Sequence, residues 1–238
     1  MQSFIIHMSS ATKRRANVDT LCTLLPEAEI VEAETGPSQI ERSRNLYLPR
    51  YPFTLGRGEI GCTLSHRKCW QMIVDRGLDY ALIAEDDLAI DTSLWDDALS
   101  LIAQHATPDH FIRLPAKRRE DPQETIASRG QAAFFLPKIV GPQTVCQVVG
   151  RNAARRLLNA TRRMDRPIDT FLQMHWIHKQ PIHTILPNGV SELTEQLGGS
   201  TIQARTNWID KLRREWRRMA YRRRVARRPQ QVITPRRM

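Results

Sequence analysis

Three consecutive acidic residues, Glu85, Asp86 and Asp87, directly follow an apolar run at residues 80–84 that predicts a buried strand. Adjacent carboxylates repel one another, and a hard divalent cation relieves that repulsion while keeping coordination positions open for phosphate oxygens. The sequence therefore predicts a cation site that receives a nucleotide diphosphate at the end of this strand. The alternative is a solvated turn in which Asp87 or Asp91 caps the segment that follows.

A second motif lies upstream of the acids, where Gly58, Gly61, Ser65 and His66 stand at the start of a predicted helix. Glycines allow close backbone approach, and a helix N-terminus attracts phosphate. The pattern predicts a helix over residues 61–76, with Ser65 and His66 one turn into it. The two motifs together favour a nucleotide-sugar site over a solvated turn.

The same glycines support a competing interpretation, because Gly56, Gly58 and Gly61 match the G-x-G-x-x-G pattern of dinucleotide-binding folds. An NAD(P)-binding oxidoreductase of the Rossmann type is therefore an alternative. Pro52 makes the preceding segment a poor central strand, and a ribose needs one acid rather than three. The dinucleotide interpretation leaves two of the three acids unexplained.

Alternating strand and helix patterns around these motifs predict an α/β fold. The predicted strands lie at residues 4–7, 29–33, 80–84, 110–114 and 182–186, with two more within 132–149, and the predicted helices at 12–25, 61–76, 94–104, 151–163 and 170–176. Residues 35–57 show little periodicity, which predicts a long loop and a candidate lid.

The basic excess is confined to the end of the chain. The net charge is +11, yet residues 1–204 contain 23 basic and 23 acidic residues, whereas residues 205–238 contain 13 basic and 2 acidic ones. We therefore divide the chain into a catalytic body, residues 1–204, and a basic tail, residues 205–238. A nucleic-acid-binding protein acting through the tail is an alternative function that the neutral body does little to support.

Apolar residues, including Trp208 and Trp216, recur in the tail at helical spacing opposite a basic face. A basic amphipathic helix over residues 206–222 suits the headgroup layer of an anionic membrane. The alternative is that its apolar side packs on the body. Residues 221–238 are rich in arginine and proline, which predicts disorder.

The four cysteines include no C-x-x-C pair and have apolar neighbours, which predicts free, buried thiols and a reducing compartment. The first residues predict a buried strand rather than a signal peptide, and no apolar run approaches the roughly 18 residues of a membrane span.

The segment GEIGCTLSHRKCWQMIVDRGLDYALIAEDD, residues 58–87, resembles the hallmark of glycosyltransferase family 25, the lipopolysaccharide-type galactosyl- and glucosyltransferases related to collagen galactosyltransferases. The opening IIHMSSATKRR and the later segments VVGRNAARRLL and RPIDTFL are similar to other parts of the family. The resemblance extends over residues 3–202. It implies a GT-A-like (Rossmann-like) nucleotide-sugar transferase domain with a mixed central sheet, which the C-terminal basic amphipathic helix would follow.

The resemblance also implies an activity. The chain would transfer a hexose, with galactose the expected sugar, from a uridine diphosphate (UDP) donor to a lipopolysaccharide-type glycan. Mn²⁺ or Mg²⁺ would be the cofactor, and the anomeric carbon would be inverted. With a lipid-linked acceptor, the enzyme would be cytoplasmic and peripheral on the inner face of the cytoplasmic membrane.

By the same resemblance, Glu85 and Asp87 would bind the cation, which bridges the diphosphate and stabilises the leaving charge. The residues that would bind the donor come from the opening, the glycine motif and the acids: His7, Ser9, Arg14, Gly58, Gly61, Ser65, Glu85 and Asp86.

The acceptor hydroxyl needs a general base near the anomeric carbon, and the candidates are Asp169, Asp165, Glu59 and His66. Asp169 is favoured because a loop carboxylate after Pro167 can face the cleft. The alternative is that Asp169 caps the short helix that follows. His66 would then contact the diphosphate or the acceptor.

Overall fold

The computed structural model describes residues 1–34, 55–163, 166–193 and 219–231. The strands are β1 Ser3–His7, β2 Ala28–Glu32, β3 Tyr80–Glu85, β4 Leu88–Ile90, β5 Phe111–Arg113, β6 Pro122–Arg129, β7 Ala132–Pro137, β8 Cys146–Gly150, β9 His183–Leu186 and β10 Val190–Glu192. The helices are α1 Arg15–Leu24, α2 Arg57–Asp75, α3 Thr92–His105, α4 Arg151–Ala160, α5 Ile168–Leu172 and α6 His175–His178. A further helix, α7, covers residues 219–226.

Eight strands form the central sheet in the order β2-β1-β3-β8-β5-β9-β7-β6. Strand β1 runs parallel to β2 and β3, whereas β8 runs antiparallel to both β3 and β5. A small antiparallel pair, β4 with β10, lies beside this sheet. The predicted α/β fold class with a mixed central sheet is confirmed.

Both faces of the sheet are covered, and the strand sequences show why. Successive side chains of a strand point to opposite faces, so a strand buried on both sides is continuously apolar. In β1, Ile5 packs in the core under α1 and α3, whereas Phe4 and Ile6 pack in the core under α2, α4 and α5. In β3, Leu82 packs in the same core as Ile5, and Ile83 packs in the same core as Phe4 and Ile6.

Helix α2 begins at Arg57, four residues before the predicted start. The reason lies in its first turn: Gly56 is extended, and the Glu59 carboxylate accepts the Gly56 N–H at 2.7 Å, which caps the helix. Gly58 and Gly61 therefore lie inside the helix rather than in a loop before it. At the other end, Gly77 has φ +65° and follows Arg76, as a glycine stop requires.

Other elements differ from the predictions in smaller ways. Strands β4, β6 and β10 were not predicted, and the single helix predicted over 170–176 is divided into α5 and α6. All four cysteines are free thiols, as predicted, but the predicted burial is found only for Cys69 and Cys146, whereas Cys22 and Cys62 are half-buried. The predicted lid loop falls almost wholly outside the described residues, which resume at residue 55.

The described part of the basic tail, residues 219–231, packs on the body. The Tyr221 hydroxyl donates to the Thr170 carbonyl at 2.7 Å, and Val225 is buried. The Gln230 side chain accepts the Ile182 N–H and donates to the carbonyls of Ile182 and Pro137. The prediction of disorder from residue 221 onward is therefore wrong over residues 221–231.

Most of the predicted amphipathic helix, residues 206–218, lies outside the described residues. Among the helices that the structure does describe, none combines the length and the apolar character needed to cross a membrane.

Candidate active site

The candidate site is an open cleft with a cavity volume of about 280 Å³ at the carboxyl ends of the parallel strands β1, β2 and β3. Ligand sites in open α/β sheets form at this edge, because loops and helix ends meet there. The first half of α2 forms one wall of the cleft. The lining includes predicted donor-binding residues and one exposed arginine from α2: Arg14, Gly58, Gly61, Glu85, Asp86 and Arg57.

Glu85 ends β3, and its side chain is 27% exposed to the cleft. Its Oε1 accepts hydrogen bonds from His66 Nε2 at 3.1 Å and from the Thr144 hydroxyl at 2.8 Å. Burial acts to raise the pKa of this carboxyl. The bonds from His66 and Thr144 and the charge of Arg14 outweigh burial, so the Glu85 pKa lies below its usual value. Glu85 is therefore held as a carboxylate.

His66 is fully buried, in the third turn of α2 rather than one turn into a helix as predicted. Its Nδ1 accepts from the Gln147 amide at 2.9 Å, and its Nε2 faces Glu85. Because a carboxylate only accepts, the ring proton is on Nε2. His66 thus fixes the orientation of Glu85.

Asp86 is buried between two donors. His7 Nδ1 donates to its Oδ2 at 2.8 Å, and Arg14 Nη1 donates to its Oδ1 at 2.5 Å. A second nitrogen of Arg14 lies 3.2 Å from Asp87 Oδ2. The Asn17 amide also donates to the Asp86 carbonyl at 2.9 Å and so fixes the acidic turn. The structure thus brings together predicted residues from two distant segments.

The guanidinium of Arg14 is the centre of this charge cluster. Partial burial acts to lower its pKa, but the hydrogen bond to Asp86 and the negative charges of Asp86, Asp87 and Glu85 raise the pKa above its usual value. One guanidinium cannot balance three carboxylates. The surplus negative charge suits a hard divalent cation, which Glu85 and Asp87 would hold, so the residues present fit the implied Mn²⁺ or Mg²⁺.

Other predicted residues have local structural partners. The Ser65 hydroxyl donates to the Gly61 carbonyl at 2.8 Å and accepts the Glu34 N–H at 2.9 Å, which ties α2 to the end of β2. Ser9 donates from its N–H and its hydroxyl to the Glu32 carboxylate, each at 3.0 Å. Glu59, a candidate base, carries the helix cap described above.

Asp169 lies in the first turn of α5, half-buried. Its Oδ1 accepts from the N–H and the hydroxyl of Thr170, at 2.5 and 3.1 Å. The N-cap residue of α5 is Pro167 and the helix has no side-chain cap, so Asp169 is not the cap that the alternative predicted. Its charge also contributes to raising the pKa of Cys62, which lines the cleft. Asp169 is not among the residues that line the cleft, and Asp165 lies outside the described residues.

Sequence reasoning missed five residues of the site: Asn17, Arg57, Cys62, Thr144 and Gln147. The signal for Cys62 was present, since Cys62 and His66 are four residues apart on one helix and therefore face the same side. Thr144 and Gln147 belong to β8 and the loop before it. They reach the site through the pairing of β8 with β3, for which the sequence offers no local signal.

Comparison with protein families finds a match to the family model described as "Glycosyltransferase family 25 (LPS biosynthesis protein)" over residues 1–172. Among curated proteins, the chain is 28% identical over 200 residues to human procollagen galactosyltransferase 2, covering 75% of this chain and 30% of that protein. It is 37% identical over 195 residues to procollagen galactosyltransferase 1 of Danio rerio, covering 75% and 32%.

A third relative, from Bos taurus, is named "Probable inactive glycosyltransferase 25 family member 3" and is 30% identical over 191 residues, covering 71% of this chain and 30% of that protein. The chain thus spans about a third of the length of these relatives. Among solved structures, mannose-1-phosphate geranyltransferase from Thermus thermophilus superposes with a TM-score of 0.40 at 9% identity, covering 77% of this chain and 72% of that one.

Proposed function

Because the chain belongs to glycosyltransferase family 25, we propose that it transfers a hexose, galactose in the first instance, from a UDP-sugar to a glycan acceptor. One observation carries the proposal. Glu85 and Asp86 line a cleft together with Arg14 and Arg57, so carboxylates for a cation and guanidinium groups for phosphates meet at one sheet edge.

The donor diphosphate would lie along the face of α2 that carries Gly58 and Gly61, where the absence of side chains lets phosphate oxygens approach the helix. Arg14 and Arg57 would bind those oxygens. A bound Mn²⁺ or Mg²⁺, held by Glu85 and Asp87, would neutralise the charge that develops on the departing diphosphate.

Asp169 is our proposed general base. In a single in-line displacement, the acceptor hydroxyl oxygen forms a bond to the anomeric carbon while the bond from that carbon to the UDP oxygen breaks. The hydroxyl proton passes to Asp169, the electron pair of the broken bond remains on UDP, and the anomeric configuration inverts. Glu59 and His66 are less suited, because one caps α2 and the other is fully buried against Glu85 and Gln147.

We extend the proposal to a lipid-linked acceptor at the cytoplasmic face of a membrane. Its support is the docked basic segment: Arg222, Arg223, Arg224 and Arg227 are exposed on α7 and just after it, and within the described ranges none of these four forms a salt bridge. A row of exposed guanidinium groups on an ordered segment suits anionic headgroups. Residues 206–222 would then contact the membrane surface.

The test is a screen of UDP-sugars with Mn²⁺ that measures released UDP, with and without chelator. We expect release that depends on the cation and that Asp87→Ala abolishes, whereas Asp96→Ala, which removes an exposed acid on α3, leaves it intact. Release from no UDP-sugar would overturn the proposal. Cation-independent binding of NAD(P) in calorimetry would favour the dinucleotide-binding oxidoreductase. Steeply salt-dependent nucleic-acid binding that survives Asp87→Ala would favour a nucleic-acid-binding protein that acts through its basic tail.

A further inference from the structure

Three side chains of different chemistry converge on the floor of the cleft. The Cys62 sulfur, a His66 ring nitrogen and a Glu85 carboxylate oxygen all lie within 4.8 Å of one another. Cys62 and His66 are one helical turn apart on α2, and the end of β3 supplies Glu85. A thiol, an imidazole and a carboxylate are the ligand types that Zn²⁺ takes in proteins, commonly with a fourth position open to water or substrate.

The imidazole has the support that a metal ligand needs. Metal-binding histidines usually hydrogen-bond through the second ring nitrogen, which fixes the ring and its tautomer. In His66 that nitrogen faces the Gln147 side chain, which is 1% exposed. Gln147 Oε1 is buried and has no hydrogen-bond partner among the described residues, so rotation of the amide turns it toward the ring. Gln147 can thus serve either tautomer of His66.

The thiol is accessible and in a negative environment. Cys62 lines the cleft and is half-buried, so a cation can reach it from solvent. A Glu85 carboxylate oxygen lies within 4.8 Å of the Cys62 sulfur, so one bound cation could contact both groups.

We propose that Cys62, His66 and Glu85 form a site for a thiophilic divalent cation, Zn²⁺ in the first instance, which overlaps the hard-cation site at Glu85 and Asp87 through Glu85. On binding, the Cys62 proton passes to solvent. His66 keeps one proton, which moves from Nε2 to Nδ1, where it is donated to Gln147 Oε1. No redox step is involved.

The two sites share Glu85, so Zn²⁺ and Mn²⁺ compete for the same carboxylate. Zn²⁺ therefore inhibits transfer in competition with Mn²⁺. This consequence rests on the proposed function, whereas Zn²⁺ binding itself does not, so the two can fail separately.

The experiment titrates the full-length protein with Co²⁺ and follows the charge-transfer absorption from thiolate to cobalt, then displaces Co²⁺ with Zn²⁺. We expect this absorption in the wild type, and a loss of affinity on the order of 100-fold or more in Cys62→Ser. Cys22→Ser, which changes a half-buried cysteine on α1, should bind like the wild type. An absence of thiolate-to-cobalt absorption in the folded wild type overturns the proposal.

A second measurement needs no variant. Alkylation of the wild-type protein with iodoacetamide, followed by peptide mapping, gives the rates at Cys62 and Cys22 with and without Zn²⁺. We expect Zn²⁺ to slow alkylation of Cys62 and to leave Cys22 unchanged. Equal rates at Cys62 with and without saturating Zn²⁺ would overturn the proposal, even if Cys62→Ser does not fold.

Discussion

Replacing Glu85 by glutamine separates the charge of this residue from its shape. Oε1 of Glu85 accepts from His66 at 3.1 Å and from Thr144 at 2.8 Å, and the amide oxygen of glutamine can accept both bonds. Packing and the number of hydrogen bonds are therefore kept. The variant Glu85→Gln tests what the negative charge alone contributes to folding and to turnover.

The effect on stability should be small. A hydrogen bond to a charged acceptor contributes about 1.5–3 kcal/mol and one to a neutral acceptor about 0.5–1.5 kcal/mol, so the two bonds together lose roughly 2 kcal/mol. Removing one of three adjacent carboxylates also relieves their mutual repulsion, which offsets part of that loss. We expect the free energy of unfolding in urea to fall by about 1 kcal/mol.

The effect on turnover should be large. With one proposed cation ligand neutral, we expect the rate of UDP release to fall by about 100- to 1000-fold, the scale found when one electrostatic contact to a developing charge is removed. The assay measures initial rates across a Mn²⁺ titration. Glu124→Gln, which changes an exposed residue on the edge strand β6, is the matched control. If Glu85→Gln kept the wild-type rate at every Mn²⁺ concentration, the proposed role of this carboxylate would be refuted.

Three further predictions concern the tail, pH and membranes. Gln230→Leu removes three buried side-chain hydrogen bonds and should lower the free energy of unfolding by about 2–4 kcal/mol. Gln231→Leu, at the exposed neighbouring position, should change it little. Equal urea midpoints for Gln230→Leu and the wild type would contradict the packing of the tail on the body. Burial lowers the pKa of His178 from 6.5 to about 4, so the unfolded chain binds a proton that the folded chain excludes. The free energy of unfolding, measured by urea melts, should therefore fall as pH falls from 6.5 to about 4. If His178→Gln showed the same pH dependence as the wild type, this prediction would be contradicted. Charge reversal of Arg223 and Arg227 should reduce sedimentation with anionic vesicles, and unchanged sedimentation would refute their membrane role.

The sequence predicts those parts of the fold that depend on local patterns. Strands β1 and β3 are apolar over most of their length, which is typical of strands covered on both faces, and both are found. The placement of Glu85 at a strand end follows from the same pattern. Because parallel strands end at a common edge, this placement also predicts that His7, at the end of β1, lies near the acids. His7 does hydrogen-bond Asp86, which is 79 residues later in the chain.

What the sequence does not predict depends on side chains that meet across the sheet. Thr144 and Gln147 reach their partners over 59 and 81 residues, through an antiparallel pairing that has no local signal. The start of α2 was misplaced because the capping carboxylate of Glu59 closes the helix onto a glycine earlier than apolar periodicity indicates. Likewise, composition predicts disorder for the tail, whereas Gln230 finds its partners at Pro137, the end of β7, and at Ile182, just before β9, only once the sheet has formed.

A crystal structure of the protein with Mn²⁺ and UDP would show whether the carboxylates hold the cation against the diphosphate. We predict an anomalous peak for manganese in contact with Glu85 and Asp87, with a UDP phosphate oxygen completing its coordination and the diphosphate beside Arg14. UDP bound elsewhere, or bound in the cleft with no ion beside these carboxylates, would contradict it.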